Sequence, residues 1–272
     1  MTDTAGPPVA GEVGLPILRL DNITKRFGAV SVLRGVNLSL GRGEVLGLVG
    51  DNGAGKTTLV KIITGFIRAD GGRIFLDGKE RRFTSVDEAR SHGIETVYQD
   101  LALIPQLSVY HNLFLNRELT TGGFLGLLSN RRMRSLARQY LDDINVNIPD
   151  IDAEAEMLSG GQRQAIAVAR ASRMPGVKVL LLDEPLAAMG AREASLIIDL
   201  IRDMSKSRGI SMIVVDHNYT HLFEFCDRIS VIQQGAITWD RKTAETSIDE
   251  LTEFMVWEYR RQVMSGRVEK VE

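Results

Sequence analysis

Gly50-Asp51-Asn52-Gly53-Ala54-Gly55-Lys56-Thr57 is the stretch from which the rest of this 272-residue chain can be read. It has the spacing G-x-x-x-x-G-K-[ST]. It lies between an apolar run, Val45-Leu46-Gly47-Leu48-Val49, and a helical stripe of Leu59, Ile62, Ile63 and Phe66. That is the strand, loop and helix a phosphate-binding loop requires. Ordinary residue frequencies would place the four fixed positions by accident in about one chain in a hundred of this length, so a glycine-rich surface turn is the weaker reading. The glycines let backbone N–H groups curl inward toward an anion, and a helix starting near Lys56 adds unpaired amides and the positive end of its dipole. Lys56 is expected to reach the terminal phosphates as a point charge, and the Thr57 hydroxyl to ligate magnesium. Gly50, Asp51, Asn52, Gly53, Ala54 and Gly55 form the wrapping backbone, and Thr58 completes the set by packing or capping.

Composition narrows the function. With 44% hydrophobic residues the chain can bury a large core, as one big domain or a domain carrying a subdomain. A net charge of -2 and a pI near 6.1 argue against a nucleic-acid partner. The basic clusters Arg131-Arg132-Met133-Arg134 and Arg260-Arg261 are expected to be solvated helix faces. Cys226 is the only cysteine, which excludes an intrachain disulfide; its spacing from Phe223 and Phe225 predicts a buried thiol in a cytosolic protein. No apolar run approaches the roughly 18 residues that span a bilayer, and the first residues lack a signal-peptide pattern. A membrane role would therefore come through a partner.

Along the chain, residues 1–16 read as a flexible tail rich in Gly and Pro. Residues 17–22 and 32–40 alternate as strands, with Phe27 near the turn between them, placed either to pack or to stack on a flat ring. Strands are predicted at 73–76, 94–98, 177–182, 210–215 and 229–232, with a hairpin turn at Asp77-Gly78. Between 101 and 157 the pattern turns helical, broken by Pro105, Gly122-Gly123 and Pro149, with an amphipathic helix over 130–144. Ser159 and Gln162 form a capping box at the start of a further helix; Gly160 and Gly161 leave that end open to close approach by an anion. Helices are also expected over 191–205 and 249–259. Gly50, Gln99, Asp183, Glu184 and His217 all fall just after strands, and ligands of open α/β sheets bind beyond the carboxyl ends of the strands.

These residues closely resemble one family, the ATP-binding subunits of ATP-binding-cassette transporters. Leu158-Ser159-Gly160-Gly161-Gln162 matches that family's LSGGQ signature, downstream of the phosphate loop and Gln99 and upstream of Leu182-Asp183-Glu184-Pro185 and His217. The likeness spans about residues 17–240. Val97-Tyr98-Gln99-Asp100-Leu101-Ala102-Leu103 and His217-Asn218 are similar to the simple-sugar uptake branch (ribose, xylose, fructose). The resemblance implies a P-loop ATPase fold: a mostly parallel sheet core, an antiparallel β subdomain, a helical subdomain inserted at about 101–173, and a helical extension over 241–272. It also implies ATP and Mg2+ as cofactors, Phe27 against adenine, Gln99 and Asp183 beside magnesium, and Glu184 as catalytic base. His217 would meet the γ-phosphate, and Ser159, Gly160, Gly161 and Gln162 would close over ATP from a second subunit. One departure is Gly190, where the family commonly has an aspartate that helps link the two sites.

The implied protein is a homodimeric ATPase, peripheral on the cytoplasmic face of the cell membrane beneath permease subunits, with a soluble sugar-binding protein as a further partner. Leu101–Val109, apolar and interrupted by Pro105, is the expected permease-docking segment, with burial in the core as the competing reading. A soluble cassette ATPase of translation or chromosome maintenance is the alternative. Those relatives usually carry tandem cassettes or a long coiled coil, and neither is visible in this chain.

Overall fold

The computed structural model describes residues 14–121, 126–187 and 189–264, with side chains placed as far as 261. Two long strands, β1 (Leu18–Phe27) and β2 (Val30–Leu40), precede the short β3 (Val45–Val49) and the helix α1 (Lys56–Ile63). A hairpin of β4 (Gly71–Leu76) and β5 (Lys79–Arg81) turns on Asp77 and Gly78, both at positive φ, as an Asp-Gly turn requires. Helix α2 (Val86–Ser91) leads into β6 (Ile94–Val97). The chain then runs through α3 (Val109–Phe114), the small pair β7 (Thr120–Thr121) and β8 (Leu127–Leu128), α4 (Asn130–Asp143) and α5 (Gly160–Ser172). The chain returns as β9 (Val179–Asp183), α6 (Ala191–Arg208), β10 (Ser211–Val215), α7 (Tyr219–Phe225), β11 (Arg228–Gln233), β12 (Ala236–Lys242) and α8 (Ile248–Met264).

The strands form two main sheets. In the larger one the order is β12-β11-β3-β10-β9-β6, and every neighbouring pair except β11 and β12 is parallel. The smaller, β2-β1-β4-β5, is antiparallel throughout. The uniformly apolar central strands follow from burial on both faces, where a period of two decides which core each side chain joins. Leu180, Leu182, Met212 and Val214 face the core shared with α3, α4, α5 and α6. Val179, Leu181, Ile213 and Val215 face the core shared with α1 and the antiparallel sheet. Cys226 is buried as expected, and Arg131, Arg132 and Arg134 lie on the exposed face of α4 around the buried Met133.

Some elements depart from the expected pattern. α2 is six residues long and buries only Ala89, so no apolar stripe announces it, although Ser85 caps it by accepting from the Glu88 amide. β12, largely exposed at the sheet edge, lacks the alternation that marks β11, and it carries the sheet to Lys242. The pair β7 and β8 interrupts a region expected to be helical. Most of the expected tail, residues 1–13, lies outside the described residues, as do Gly122-Gly123 and residues 265–272.

Charged side chains join the two sheets. Arg228, at the start of β11, donates to Glu44 at 2.7 and 3.1 Å, to both carboxylate oxygens of Asp240 at 2.7 Å, and to the Ser39 carbonyl of β2 at 2.5 Å. Burial opposes the charge on Arg228, yet its two carboxylate partners outweigh burial and hold the guanidinium firmly protonated. Asp77, at the β4–β5 turn, accepts from Arg42 and from Lys178 just before β9; Lys178 is the main cause of its carboxyl sitting below the ordinary range. Taking one member from a buried ion pair leaves the remainder uncompensated. Arg228→Ala should therefore lower the unfolding free energy by roughly 3 kcal/mol in a urea titration. Arg228→Lys should recover less than half of that, because a point charge cannot fork between two carboxylates. A loss under about 1 kcal/mol for the alanine variant would reduce the cluster to an ordinary surface pair.

Candidate active site

The phosphate loop passes over the ends of β3 and β11 so closely that side chains are excluded. Gly50 has φ 152°, and a Cβ there would lie 2.1 Å from the Ile232 carbonyl oxygen. Gly55, at φ 110°, would set a Cβ 2.7 Å from Leu33 Cδ2, whereas Gly53, at φ 81°, meets nothing within 4 Å and faces open space. On the inner side the Ala54 carbonyl accepts from the Gly235 amide at 3.1 Å. Gly55 is also the N-cap of α1 and supplies no side-chain hydrogen bond, so the first-turn amides of that helix are left for an anion. Lys56 Nζ folds onto the loop, donating to the Gly50 carbonyl at 2.5 Å and the Asp51 carbonyl at 3.0 Å. Burial lowers its pKa, against the opposing pull of Asp51, Glu184 and Asp183.

β10 lies next to β3 in the sheet and β9 next to β10, so their ends deliver His217, Asp183 and Glu184 to the same edge. The Asp183 carboxyl is pushed above the ordinary range, first by burial and then by the charges of Glu184 and Asp216, with Lys56 opposing. A divalent cation beside Asp183 would relieve that repulsion, and the exposed Thr57 hydroxyl at the head of α1 is the oxygen donor expected to share it. Glu184 sits at φ 48°, a left-handed conformation that costs a glutamate roughly 1 kcal/mol or more. Its amide donates to the Val215 carbonyl at 2.8 Å and its carbonyl accepts from Ala187 at 3.2 Å. The backbone is thus pinned on two sides, and the carboxylate is turned toward His217, whose Nδ1 lies 3.5 Å from Glu184 Oε1. The His217 side chain remains 74% exposed, free to meet a ligand.

Gln99 lies two residues past β6, on the other side of β9, exposed at the same edge. Phe27 ends β1 opposite Val30, half exposed, with Lys25 Nζ 5.4 Å from its ring centre. It belongs to the hairpin whose Val32 and Leu33 flank Gly55. The signature stands apart: among the described residues no hydrogen bond joins Ser159, Gly160, Gly161 or Gln162 to the phosphate loop. Its capping box is complete, with the Ser159 hydroxyl accepting from the Gln162 amide at 3.3 Å and the Gln162 side chain accepting from the Ser159 amide at 3.0 Å. Gly190 is the extended N-cap of α6.

Two neighbours of the site escaped the sequence reading. Asp216, buried to 4% exposure, accepts from the His217 and Asn218 amides at 2.7 and 2.9 Å and so fixes the turn that presents His217. Its position directly after an apolar strand was the available signal. Glu193 of α6 accepts from the Gly161 amide at 3.4 Å, 32 residues away in sequence, and no local pattern announces that contact. The loop geometry carries a direct test. Gly50→Ala should abolish binding of a fluorescent ATP analogue and lower the thermal midpoint, because the added methyl group cannot coexist with the Ile232 carbonyl. Binding within about threefold of wild type would show that the loop has another way past β11.

Comparison with known proteins places this arrangement. Residues 33–187 match the family described as ABC transporter. The chain is 45% identical over 239 residues to the xylose/arabinose import ATP-binding protein XylG of Sulfolobus acidocaldarius, covering 88% of this chain and 93% of that protein. It is 38% identical to the ribose import ATP-binding protein RbsA of Bacillus subtilis over 88% of this chain; there it spans only 48% of the relative, about half its length. Among solved structures, the dimeric post-hydrolysis state of the ATP-binding cassette MJ0796, bound to ADP and Pi, superposes with a TM-score of 0.69 at 26% identity, covering 83% of this chain and 98% of that one. The chain belongs to the ABC transporter family, whose ATP-binding domain it supplies.

Proposed function

We propose that this chain is the ATP-hydrolysing subunit of an importer for a simple sugar. The observation that carries the reading is the convergence of Lys56, Asp183, Glu184 and His217 at the ends of three adjacent strands, directly beside a glycine-built phosphate cradle. In this reading the amides from Gly50 to Thr57 wrap the phosphates, Thr58 supports them, and Phe27 stacks on the adenine. Thr57, Gln99 and Asp183 hold magnesium, which when bound supplies charge neutralisation at the transferring phosphoryl group. Lys56 leaves the Gly50 and Asp51 carbonyls for the phosphates. Glu184 orients and deprotonates the attacking water, and His217, already within reach of Glu184, contacts the γ-phosphate. The separation of the signature from the loop within one chain fits a site completed by Ser159, Gly160, Gly161 and Gln162 of a second copy.

The sugar reading draws on the relatives' import names and on the resemblance of residues 97–103. Under it, residues 17–240 form the cassette, residues 101–173 its helical subdomain, and residues 241–272 an extension. The subunit works at the cytoplasmic face of the membrane with a permease and a sugar-binding protein. Leu101 and Leu103 pack partly against the main core and keep part of their surface exposed. Ile104 is exposed, and Ala102 of the same segment lines a cleft with Arg90, Glu95, Arg117, Arg170 and Arg173. Arg170 donates to the Leu101 and Ala102 carbonyls at 2.7 and 2.8 Å, which ties that cleft to the segment just after Gln99. This is the face we assign to the permease.

Glu184→Gln should leave nucleotide binding intact while steady-state hydrolysis falls by at least ~100-fold, the loss expected when a general base is removed. Turnover close to wild type would take Glu184 out of that role. Affinity capture of the full chain from detergent-solubilised native membranes should recover an integral membrane permease, and sugar added with its binding protein should stimulate hydrolysis by the captured complex. Recovery with ribosomes or chromosomal DNA instead would favour the soluble alternative.

A further inference from the structure

The N-terminus of α5 already holds a negative group from its own chain. Glu193, in the first turn of α6, reaches across so that Oε1 lies 3.4 Å from the Gly161 amide nitrogen. The approach depends on Gly161: a Cβ there would lie 2.9 Å from Glu193 Cβ. The Ser159 hydroxyl is the main cause of the Glu193 carboxyl lying below its ordinary range, followed by the amides of Gly161 and Gly190. The carboxylate thus sits against the first turn of α5, accepting from the Gly161 amide, while its own residue belongs to the first turn of α6.

We propose that Glu193 is an internal stand-in for phosphate, occupying the Gly161 amide of the signature in the unpaired subunit so that ATP carried by a second subunit must displace it before the two chains close. This rests on the shared-site reading above. The competing role is purely structural, a carboxylate that caps α6 and packs against α5. Charge separates the two: Glu193→Gln preserves length, shape and acceptor oxygen but removes the negative charge that a phosphate would have to displace.

The test uses the full chain carrying Glu184→Gln, so that bound ATP persists, and follows ATP-driven subunit association by light scattering. Adding Glu193→Gln should lower the ATP concentration at half-association roughly fivefold, the scale of one exposed charge interaction, and the gain should shrink as salt is raised. The thermal midpoint of the ATP-free subunit should stay within a few degrees. An unchanged or higher ATP requirement overturns the proposal, and a large fall in the midpoint alongside it identifies Glu193 as a helix cap. Ser159→Arg in the same background separates the two layers of the reading. If it blocks association while Glu193→Gln has no effect, only the stand-in role fails; if it associates normally, the shared site fails and the stand-in role with it.

Discussion

The close passage of Gly50 over the Ile232 carbonyl is the constraint on which the site depends. β3 and β11 are parallel neighbours, so the chain leaving β3 must cross the end of β11 before it can turn into α1. No residue with a side chain clears that carbonyl. Once the crossing is made, the amides that follow have only one way to face, and α1 starts with its first turn directed at the space they enclose. The neighbouring strand ends then determine which side chains line that space: β10 delivers His217 and β9 delivers Asp183 and Glu184.

What the loop encloses is an electrostatic compromise. Lys56 is weakened as a cation by burial, and Asp183 is weakened as an anion by burial and by Glu184 and Asp216. Both would hold their charge more readily with a phosphate and a cation between them, so the site is organised for a charged ligand rather than for its own stability. The left-handed backbone at Glu184 belongs to the same pattern. Its strain is held by hydrogen bonds to Val215 and Ala187, and the result is a carboxylate facing the adjacent strand's histidine.

Most of this was legible in the residues because it is local. Strand, loop and helix around Gly50 occupy consecutive positions, the capping box of Ser159 and Gln162 spans three residues, and the apolar run ending at Asp183 states its own burial. The parts that were not legible depend on partners distant in sequence or on very short elements. Glu193 meets Gly161 only because α6 and α5 pack side by side, and Asp216 acts on backbone amides rather than on a patterned side chain. α2 is too short to show periodicity, and β12 is too exposed to alternate. The apolar letters of Leu101 and Leu103 suited a docking face and a buried one equally well, and their packing, partly against the core and partly exposed, keeps something of both.

The ionic ties between the sheets bear on how the molecule transmits force. Arg228 fastens β11 and β12 to Ser39 of the antiparallel sheet, while Asp77 fastens the β4–β5 turn to residues entering β3 and β9. The phosphate cradle is therefore set beside contacts that join the two sheets, of which the Arg228 cluster is the well-buried one. Under the permease docking proposed above, a load applied through Arg170 and the segment beyond Gln99 would meet this support. Under that docking, displacement would be delivered to the phosphate edge instead of being dissipated as deformation between the sheets, the property a lever needs at its fulcrum.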